Sequence, residues 1–175
     1  EAELLNLATT DALTGLYNRF RFDELVVEEI ERSERYGGPL SLIIFDLDHF
    51  KRINDTYGHI VGDEVLVEIS KISRQILRTT DIIARWGGEE FSILLPGTTS
   101  HGAYIAAEKL RQTLESYQHS TVGVVTASFG VSQKLEDEDY TEWFDRVDQA
   151  LFKSKNSGRN KTTVSGIEPS GFTTN

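Results

Sequence analysis

Apolar residues recur at helical spacing in four stretches of the chain. In the first stretch, from Arg19 to Tyr36, an apolar stripe opposes an acidic outer face, and Gly37-Gly38-Pro39 follows as a stop signal. The other three predicted helices begin at Gly62-Asp63, at Thr99 or Ser100, and at Asp139, and they run to about Leu77, through Leu114 and to Lys155.

Runs of apolar and β-branched residues predict the strands. Leu40 to Phe45 is apolar almost throughout, which is typical of a central strand buried on both faces. Two further runs, 81–84 and 91–95, lie on either side of a glycine pair. Later strands are predicted at 122–131, with Gly123 and Gly130 as bulge sites, and at 160–165. The pattern therefore predicts an α/β (α+β) fold with a central mixed sheet flanked by helices.

We expect one domain over residues 11–166. Residues 1–10 are predicted to be the stump of a linker helix, and 167–175 a flexible C-terminal tail. The chain contains no Met, even at its first position, so we expect it to be a fragment of a longer protein with an upstream sensory or dimerisation region.

The composition is that of a soluble globular domain, with 175 residues and 38% hydrophobic positions. There are no cysteines, which excludes disulfide scaffolds, cysteine nucleophiles and thiolate metal sites. The net charge of −10 argues against sequence-independent binding of nucleic acid or anionic membranes. We expect a cytoplasmic domain, and the full-length protein could still be attached to a membrane through its upstream region.

The glycine pair between the two middle strands is the first candidate functional element. Gly87 and Gly88 predict a hairpin turn, because both can adopt positive φ without a Cβ clash. Glu89 and Glu90 follow immediately, where a large ligand could approach the bare backbone. Paired acids in this position suggest a metal or phosphate site, and the alternative is a solvated hairpin tip.

A second group of acids follows the central strand. Asp46 and Asp48 alternate with Leu47 and are expected on one side of the strand, where burial is costly unless they bind a cation or accept hydrogen bonds. A capping role could explain either one alone. If this strand lies beside the hairpin, both acids meet Glu89, and oxygen ligands of this kind suit Mg²⁺ or Mn²⁺.

Cations are available for the phosphates that such a metal would bind. They are Lys51, which follows the central strand, and Lys155 and Arg159, which lie where the last helix ends. The alternative interpretation of the latter two is favourable placement near a helix C-terminus.

Several motifs in order resemble the GGDEF domains, the diguanylate cyclases. Gly87 to Phe91 has the GGEEF form of their signature. The resemblance covers nearly the whole chain and rests on further matching segments, which are 11–19, 45–55, 57–59, 62–63 and 158–161. It implies a fold similar to adenylyl cyclase catalytic domains and polymerase palms. It also implies condensation of two GTP molecules into cyclic di-GMP with release of pyrophosphate.

The resemblance assigns roles to individual positions. Asp46, the backbone carbonyl of Leu47, and Glu89 match metal ligands, and Glu89 also matches the base for the 3′-hydroxyl. The remaining assignments are catalysis for Lys51 and Glu90, and GTP binding for His59, Gly87, Gly88, Lys155 and Arg159.

Asn54 and Asp63 match the pair that reads guanine. A carboxylate accepts hydrogen bonds from guanine N1–H and the N2 amino group, whereas adenine offers neither and would leave Asp63 unpaired. GTP is therefore the expected substrate. The structural alternative for Asp63 is an N-terminal helix cap.

Arg78-Thr79-Thr80-Asp81 matches the RxxD motif of an inhibitory product site. A guanidinium binds guanine edges and phosphates, and a loop ion pair is the alternative interpretation. The resemblance implies that Arg32 reaches this site from a neighbouring domain. Lys109 stands where family members often supply an arginine, so weaker feedback is expected.

We therefore expect a feedback-inhibited cyclase that works as a homodimer, because each domain would hold one GTP. A second hypothesis is a non-catalytic module that binds cyclic di-GMP or GTP. A third is a nucleotidyl cyclase or transferase with another product, which base preference at Asn54 and Asp63 would distinguish.

Overall fold

The computed structural model describes residues 8–166. Asn18 caps the first helix by accepting the Arg21 amide, and Gly37 ends it, which confirms both predicted bounds. Five helices and five strands follow one another in this part of the chain. They are α1 (Arg19–Tyr36), β1 (Leu40–Leu47), α2 (Phe50–Tyr57), α3 (His59–Ile76), β2 (Ile82–Gly87), β3 (Glu90–Pro96), α4 (Ser100–Ser116), β4 (Ala127–Gln133), α5 (Tyr140–Asn156) and β5 (Thr162–Val164).

The strands form one mixed sheet in the order β2-β3-β1-β4-β5. All neighbouring pairs are antiparallel except β4 and β5, which are parallel. The central strand β1 places Phe45 opposite both Phe91 and Phe129, and each ring pair stacks with centroids 4.9 Å apart. The predicted fold class, a central mixed sheet flanked by helices, is confirmed.

Strand β1 is buried on both faces, so its side chains alternate between two hydrophobic clusters. Ile43 and Phe45 pack with α3 and α4 on one face, and Leu42 and Ile44 pack with α1 and α5 on the other. Because helices cover both faces of the sheet, the polar residues that follow β1 lie at the end of the strand, where the packed core holds them in place.

Two predicted starts are wrong by three residues or more. Helix α3 begins at His59, three residues before the predicted start, because the backbone of Gly58 rather than a side chain forms its N-cap. Strand β4 begins at Ala127 rather than 122, and a tight turn from His119 to Gly123 precedes it.

The predicted bulges at Gly123 and Gly130 are also wrong. Gly123 belongs to that turn, with φ 76°, and Gly130 pairs in regular register with Ile44. A bulge occurs instead in β2, between Arg85 and Gly87. The predicted tail, 167–175, and most of the predicted linker helix lie outside the described residues. No helix within 8–166 is long and apolar enough to cross a membrane.

Candidate active site

A cavity of about 470 Å³ opens where β1 ends and α2 begins. It brings together six of the residues that the sequence predicted to act on metal or phosphate. These are Asp46, Leu47, Lys51, Glu89, Lys155 and Arg159. Asp48, His49, Phe50, Arg52 and Asp55 complete its lining.

The hairpin turn supplies Glu89 to this cavity. Gly87 pairs with Glu90, so the two turn residues are Gly88 and Glu89 rather than the predicted glycine pair. The bulge in β2 explains the shift of one residue. Gly87 and Gly88 have φ of 141° and 53°, which residues with a Cβ rarely adopt. Glu89 therefore lies at the tip, and its carbonyl accepts a hydrogen bond from the Leu47 amide at 3.2 Å.

Arg85 braces the turn against the N-terminal loop. Its Nε donates to the Gly88 carbonyl at 2.9 Å, and its Nη1 donates to Asp11 Oδ1 at 2.9 Å. Burial alone would raise the pKa of Asp11, but hydrogen bonds from Thr14 and the Arg85 charge lower it. Sequence reasoning missed this pair. Asp11 lies in a matched motif and Arg85 lies just before one, but their separation of 74 positions leaves no local signal.

Asp46 is buried, with only 8% of the residue exposed, and its Oδ2 lies 2.5 Å from Lys155 Nζ. Burial raises the pKa of Asp46, the Lys155 ammonium opposes this rise, and the charges of Glu89 and Asp48 add to it. Burial also raises the pKa of Glu90, with Asp46 and Asp148 nearby. This concentration of negative charge favours a bound cation.

Asp48 differs from Asp46 in how its carboxylate is used. Its Oδ1 accepts from Ser128 Oγ at 2.6 Å, and its Oδ2 accepts from Thr126 Oγ1 at 2.7 Å and from the Asn160 amide at 3.0 Å. The sequence grouped Asp48 with Asp46 and Glu89 at a metal site. The structure instead gives it three hydrogen bonds that join separate segments of the chain.

The predicted guanine-reading pair lies next to the cavity, on α2 and α3. The Asn54 side chain packs on Gly62, where a Cβ would come within 1.9 Å of Asn54 Oδ1 and 3.3 Å of Phe50 Cζ. Asp63 follows Gly62 and is exposed. Because Gly58 caps α3, the capping interpretation of Asp63 is wrong. His59 is exposed at the start of the same helix.

The predicted product site has its two motif residues paired with each other. Arg78 donates from its amide, Nε and Nη2 to the Asp81 carboxylate, and Nη2 also donates to Thr98 Oγ1 at 2.6 Å. The hydrogen bond to Asp81 raises the pKa of Arg78. These residues border a second cavity of about 450 Å³. Arg32 lines a different cavity on α1, and Lys109 is exposed on α4.

The cavity that contains Asp46 offers oxygen ligands of the kind that bind a small divalent cation. No cluster of three or more His, Cys, Asp or Glu side chains poised for a metal occurs within residues 8–166. The candidate set is instead two carboxylates, Asp46 and Glu89, with the Leu47 carbonyl. Mg²⁺ and Mn²⁺ accept such oxygen donors and take their remaining ligands from phosphates and water. The residues present therefore fit the predicted ion.

The chain matches a family model described as "Diguanylate cyclase, GGDEF domain" over residues 8–161. Diguanylate cyclase DgcP of Pseudomonas aeruginosa is 42% identical over 160 residues, which cover 90% of this chain and 24% of DgcP. The cyclic di-GMP phosphodiesterase NbdA of the same organism is 40% identical over 163 residues, covering 91% of this chain and 21% of NbdA. This chain thus spans a quarter or less of either relative.

A solved structure agrees with this assignment. The GGDEF domain of DgcB from Caulobacter crescentus, in complex with c-di-GMP, superposes with a TM-score of 0.86 at 32% identity. The match covers 91% of this chain and 97% of that domain. With the motifs, the fold and the family model in agreement, this chain belongs to the GGDEF, or diguanylate cyclase, domain family.

Proposed function

We propose that this chain is the catalytic domain of a diguanylate cyclase, which condenses two GTP molecules into cyclic di-GMP and releases two pyrophosphates. The observation that carries the proposal is the content of one cavity. Asp46, the Leu47 carbonyl and Glu89 offer oxygen ligands there, and Lys155 and Arg159 offer cations beside them. Phosphoryl transfer needs this combination, because it depends on positioning and on neutralising phosphate charge.

In the proposed reaction, the 3′-oxygen of one GTP attacks the α-phosphorus of another. A 3′-oxygen–phosphorus bond forms, the bond to pyrophosphate breaks, and Glu89 takes the hydroxyl proton. A second, reciprocal step closes the ring. A Mg²⁺ or Mn²⁺ ion held by Asp46, Leu47 and Glu89 would lower the pKa of that hydroxyl and neutralise phosphate charge.

The cations of the cavity bind the phosphates in this proposal. Lys155 can exchange its carboxylate partner, Asp46, for a terminal phosphate, and Arg159 approaches from the turn after α5. Lys51, which lines the cavity from the first turn of α2, would stabilise the transition state, and Glu90 would support the site beside Asp46.

Guanine specificity comes from Asn54 and Asp63 in this account. Gly62 lets the Asn54 side-chain amide lie against α3, and Asp63 is the next residue of that helix, so we propose that this amide and this carboxylate bind the same base. That pair suits the Watson–Crick edge of guanine, whose N1–H and N2 amino group are donors.

Catalysis requires two copies of the domain. Each cavity would hold one GTP, and a 3′-hydroxyl cannot attack the α-phosphate of its own nucleotide to give this product. We therefore place two domains face to face across a two-fold axis, brought together by the region upstream. Because GTP is a cytoplasmic metabolite, we place the domain in the cytoplasm.

The test is incubation of the purified chain with GTP and Mg²⁺ at high protein concentration, followed by chromatography of the products. We expect cyclic di-GMP from GTP, no corresponding product from ATP, and loss of activity with a chelator. Glu89→Ala should lower the rate at least ~100-fold, because it removes the base. Glu136→Ala, exposed at the other end of the sheet, is the matched control.

One outcome would replace this proposal with the non-catalytic alternative. The name of NbdA shows that relatives of this domain occur in a protein named for phosphodiesterase activity. If the chain makes no product even when fused to a strong dimerising coiled coil, yet binds cyclic di-GMP, it is a receptor module.

We also place product inhibition at Arg78 and Asp81. Support comes from the preformed ion pair, in which Arg78 is exposed and can turn its donors towards a guanine or phosphate. Arg32 would join from a neighbouring domain, since it lies apart from Arg78 in one copy. Cyclic di-GMP should inhibit the wild type, Arg78→Ala should be resistant, and Lys71→Ala, an exposed control, should behave as wild type.

A further inference from the structure

Backbone strain concentrates at the candidate site. Within residues 8–166, three residues other than glycine have positive φ: His49 at 57°, Arg159 at 62° and Asn160 at 46°. All three border or adjoin the cavity that contains Asp46. Asn and His tolerate this conformation better than other residues with a Cβ, whereas Arg adopts it rarely and at a cost that surrounding contacts must offset. The consecutive pair Arg159-Asn160 therefore needs specific anchors.

Asp48 anchors the backbone of this turn. Its Oδ2 accepts a hydrogen bond from the Asn160 backbone amide at 3.0 Å, and the residue is only 6% exposed. The same carboxylate binds Thr126 and Ser128 at the start of β4. Asp48 thus ties the turn to the end of β1, which carries the candidate metal ligands.

Helix α4 anchors the Asn160 side chain. The Asn160 Oδ1 accepts from Arg111 Nη1 at 3.2 Å, and its Nδ2 donates to Glu115 Oε2. Arg111 is itself fixed by two hydrogen bonds to Glu108, at 2.5 and 3.1 Å. Glu108 is 9% exposed and also accepts from Thr162 Oγ1 at 2.9 Å. The side-chain amide of Asn160 is therefore held by a network of hydrogen bonds through Arg111 to the buried Glu108.

The Arg159 side chain has no comparable anchor. Its guanidinium makes one long hydrogen bond to a described residue, 3.4 Å from Nη1 to the Lys155 carbonyl, and the residue is exposed. The direction of Arg159 into the cavity thus depends on its backbone, which the contacts of Asn160 hold.

We infer that Asn160 is a positioning residue that fixes the strained turn so that Arg159 meets the terminal phosphates of a guanosine triphosphate. This role rests on the proposed function, because it assumes that a triphosphate occupies the cavity. In this inference Asn160 acts on the nucleotide only through Arg159, and Asp48 and Arg111 hold Asn160 in place.

The test variant is Asn160→Gly. Glycine can keep the positive φ and the hydrogen bond from its backbone amide to Asp48, but the anchored side chain is lost. Asn156→Gly is the matched control, because Asn156 is the last residue of α5 and is exposed. Arg159→Ala and the double variant Arg159→Ala/Asn160→Gly complete the set.

Calorimetry would measure the affinity of each variant, with Mg²⁺, for GMP and for the unreactive GTP analogue with a methylene group between the α- and β-phosphates. Asn160→Gly should weaken analogue binding about 5- to 10-fold and leave GMP binding unchanged, because only terminal phosphates need Arg159. The control should match wild type. On the Arg159→Ala background, Asn160→Gly should cause no further loss.

Equal losses for GMP and the analogue would overturn the inference, because they indicate general damage. Additive losses in the double variant would overturn it as well. If Asn160→Gly does not fold, Glu115→Ala decides, since it removes one half-exposed anchor of Asn160 together with the ion pair between Glu115 and Arg111. The affinity for the analogue should then fall about two- to threefold, and an unchanged affinity would contradict the inference. A failure of the proposed function would give a different result, because the wild type itself would then bind the GTP analogue no more tightly than GMP.

Discussion

At the scale of single residues, the surroundings of Asp46 disfavour the ionised form of its carboxyl group. Burial and the neighbouring acids Glu89 and Asp48 raise its pKa, and Lys155 compensates only in part. A buried charge that costs stability is typical of functional sites, where a ligand supplies the missing compensation.

Asp46→Asn should therefore stabilise the domain at neutral pH. The pKa of Asp46 is higher in the folded state than the value of 3.8 in the unfolded state. The contribution of Asp46 to stability is therefore fully present below pH 3.8 and is lost as the pH rises through the folded pKa. The amide cannot ionise, so the variant should gain about 2–4 °C in melting temperature at pH 7 for each kcal/mol relieved. Thermal unfolding at several pH values measures this.

The gain should shrink towards acid pH and vanish below about 3.8. Added Mg²⁺ should raise the melting temperature of the wild type but not of the variant. Asp145→Asn, on the exposed face of α5, is the control and should change neither. A destabilised Asp46→Asn at pH 7 would show that the carboxylate stabilises the empty domain.

Gly62 is required by contact rather than by backbone conformation. A methyl group there would lie 1.9 Å from Asn54 Oδ1, so Gly62→Ala should displace the amide. We expect about tenfold weaker GTP binding and a smaller preference for GTP over ATP, because one guanine partner is lost. Competition binding with both nucleotides measures the effect.

Gly102→Ala provides the matched control, since Gly102 also lies in a helix but away from the cavity. Nucleotide selectivity should remain intact in that variant. Unchanged selectivity in Gly62→Ala would mean that Asn54 does not read the base.

Sequence reasoning found the acids and cations because they lie in short, recognisable motifs. It did not find the functions of Asp48, Arg85 or Asn160, which depend on partners 45 to 112 positions away. Such contacts leave no local periodicity, so they become visible only when the fold brings the segments together.

At the scale of elements, the hairpin of β2 and β3 is positioned by a brace. Arg85 links the Gly88 carbonyl to Asp11, and both charged side chains are largely shielded from solvent. Asp11→Ala should leave the strands paired but loosen the tip that carries Glu89. We expect about a tenfold fall in kcat with a small change in KM, because geometry at the reacting groups is lost.

Steady-state kinetics would measure this, with Asp139→Ala at the α5 cap as a control for general destabilisation. The lowered pKa of Asp11 means that its stabilising contribution is present above 3.8 and is lost as pH falls through the folded pKa. An unchanged kcat in Asp11→Ala would show that the turn keeps its geometry without the brace.

Helix α5 carries Lys155 and approaches the sheet at Gly130. A Cβ at this position would lie 2.4 Å from the Val147 carbonyl oxygen and 2.5 Å from the Leu151 amide nitrogen. Gly130→Ala should cost about 1–3 kcal/mol or more, because backbone atoms cannot move aside as side chains do. Chemical denaturation measures this, and Gln149→Ala, on the exposed face of the helix, should cost little. Wild-type stability in Gly130→Ala would show that α5 can shift.

The elements themselves were predictable where side chains mark their ends. Asn18 and Gly37 define α1, and Asp139 with Glu142 forms a capping box that begins α5. The start of α3 was not predictable in this way, because its cap is the backbone of Gly58. The glycine requirement at Gly130 likewise arises from a helix far away in sequence.

At the scale of the whole molecule, the candidate acids and cations lie together at one end of the central strand, while the net charge of the chain is −10. An anionic substrate therefore depends on local cations and a metal to offset the overall field. Within residues 8–166 there is one cavity of this kind, whereas cyclic di-GMP contains two nucleotides. We therefore expect that two copies meet to react.

The most direct test is the initial rate of cyclic di-GMP formation as a function of protein concentration, with sedimentation measured on the same samples. Where the chain sediments as a monomer, we predict that the rate per chain rises with concentration, and that an N-terminal dimerising coiled coil removes this dependence. A rate per chain that stays constant while the chain remains monomeric would contradict the account, because one domain would then suffice.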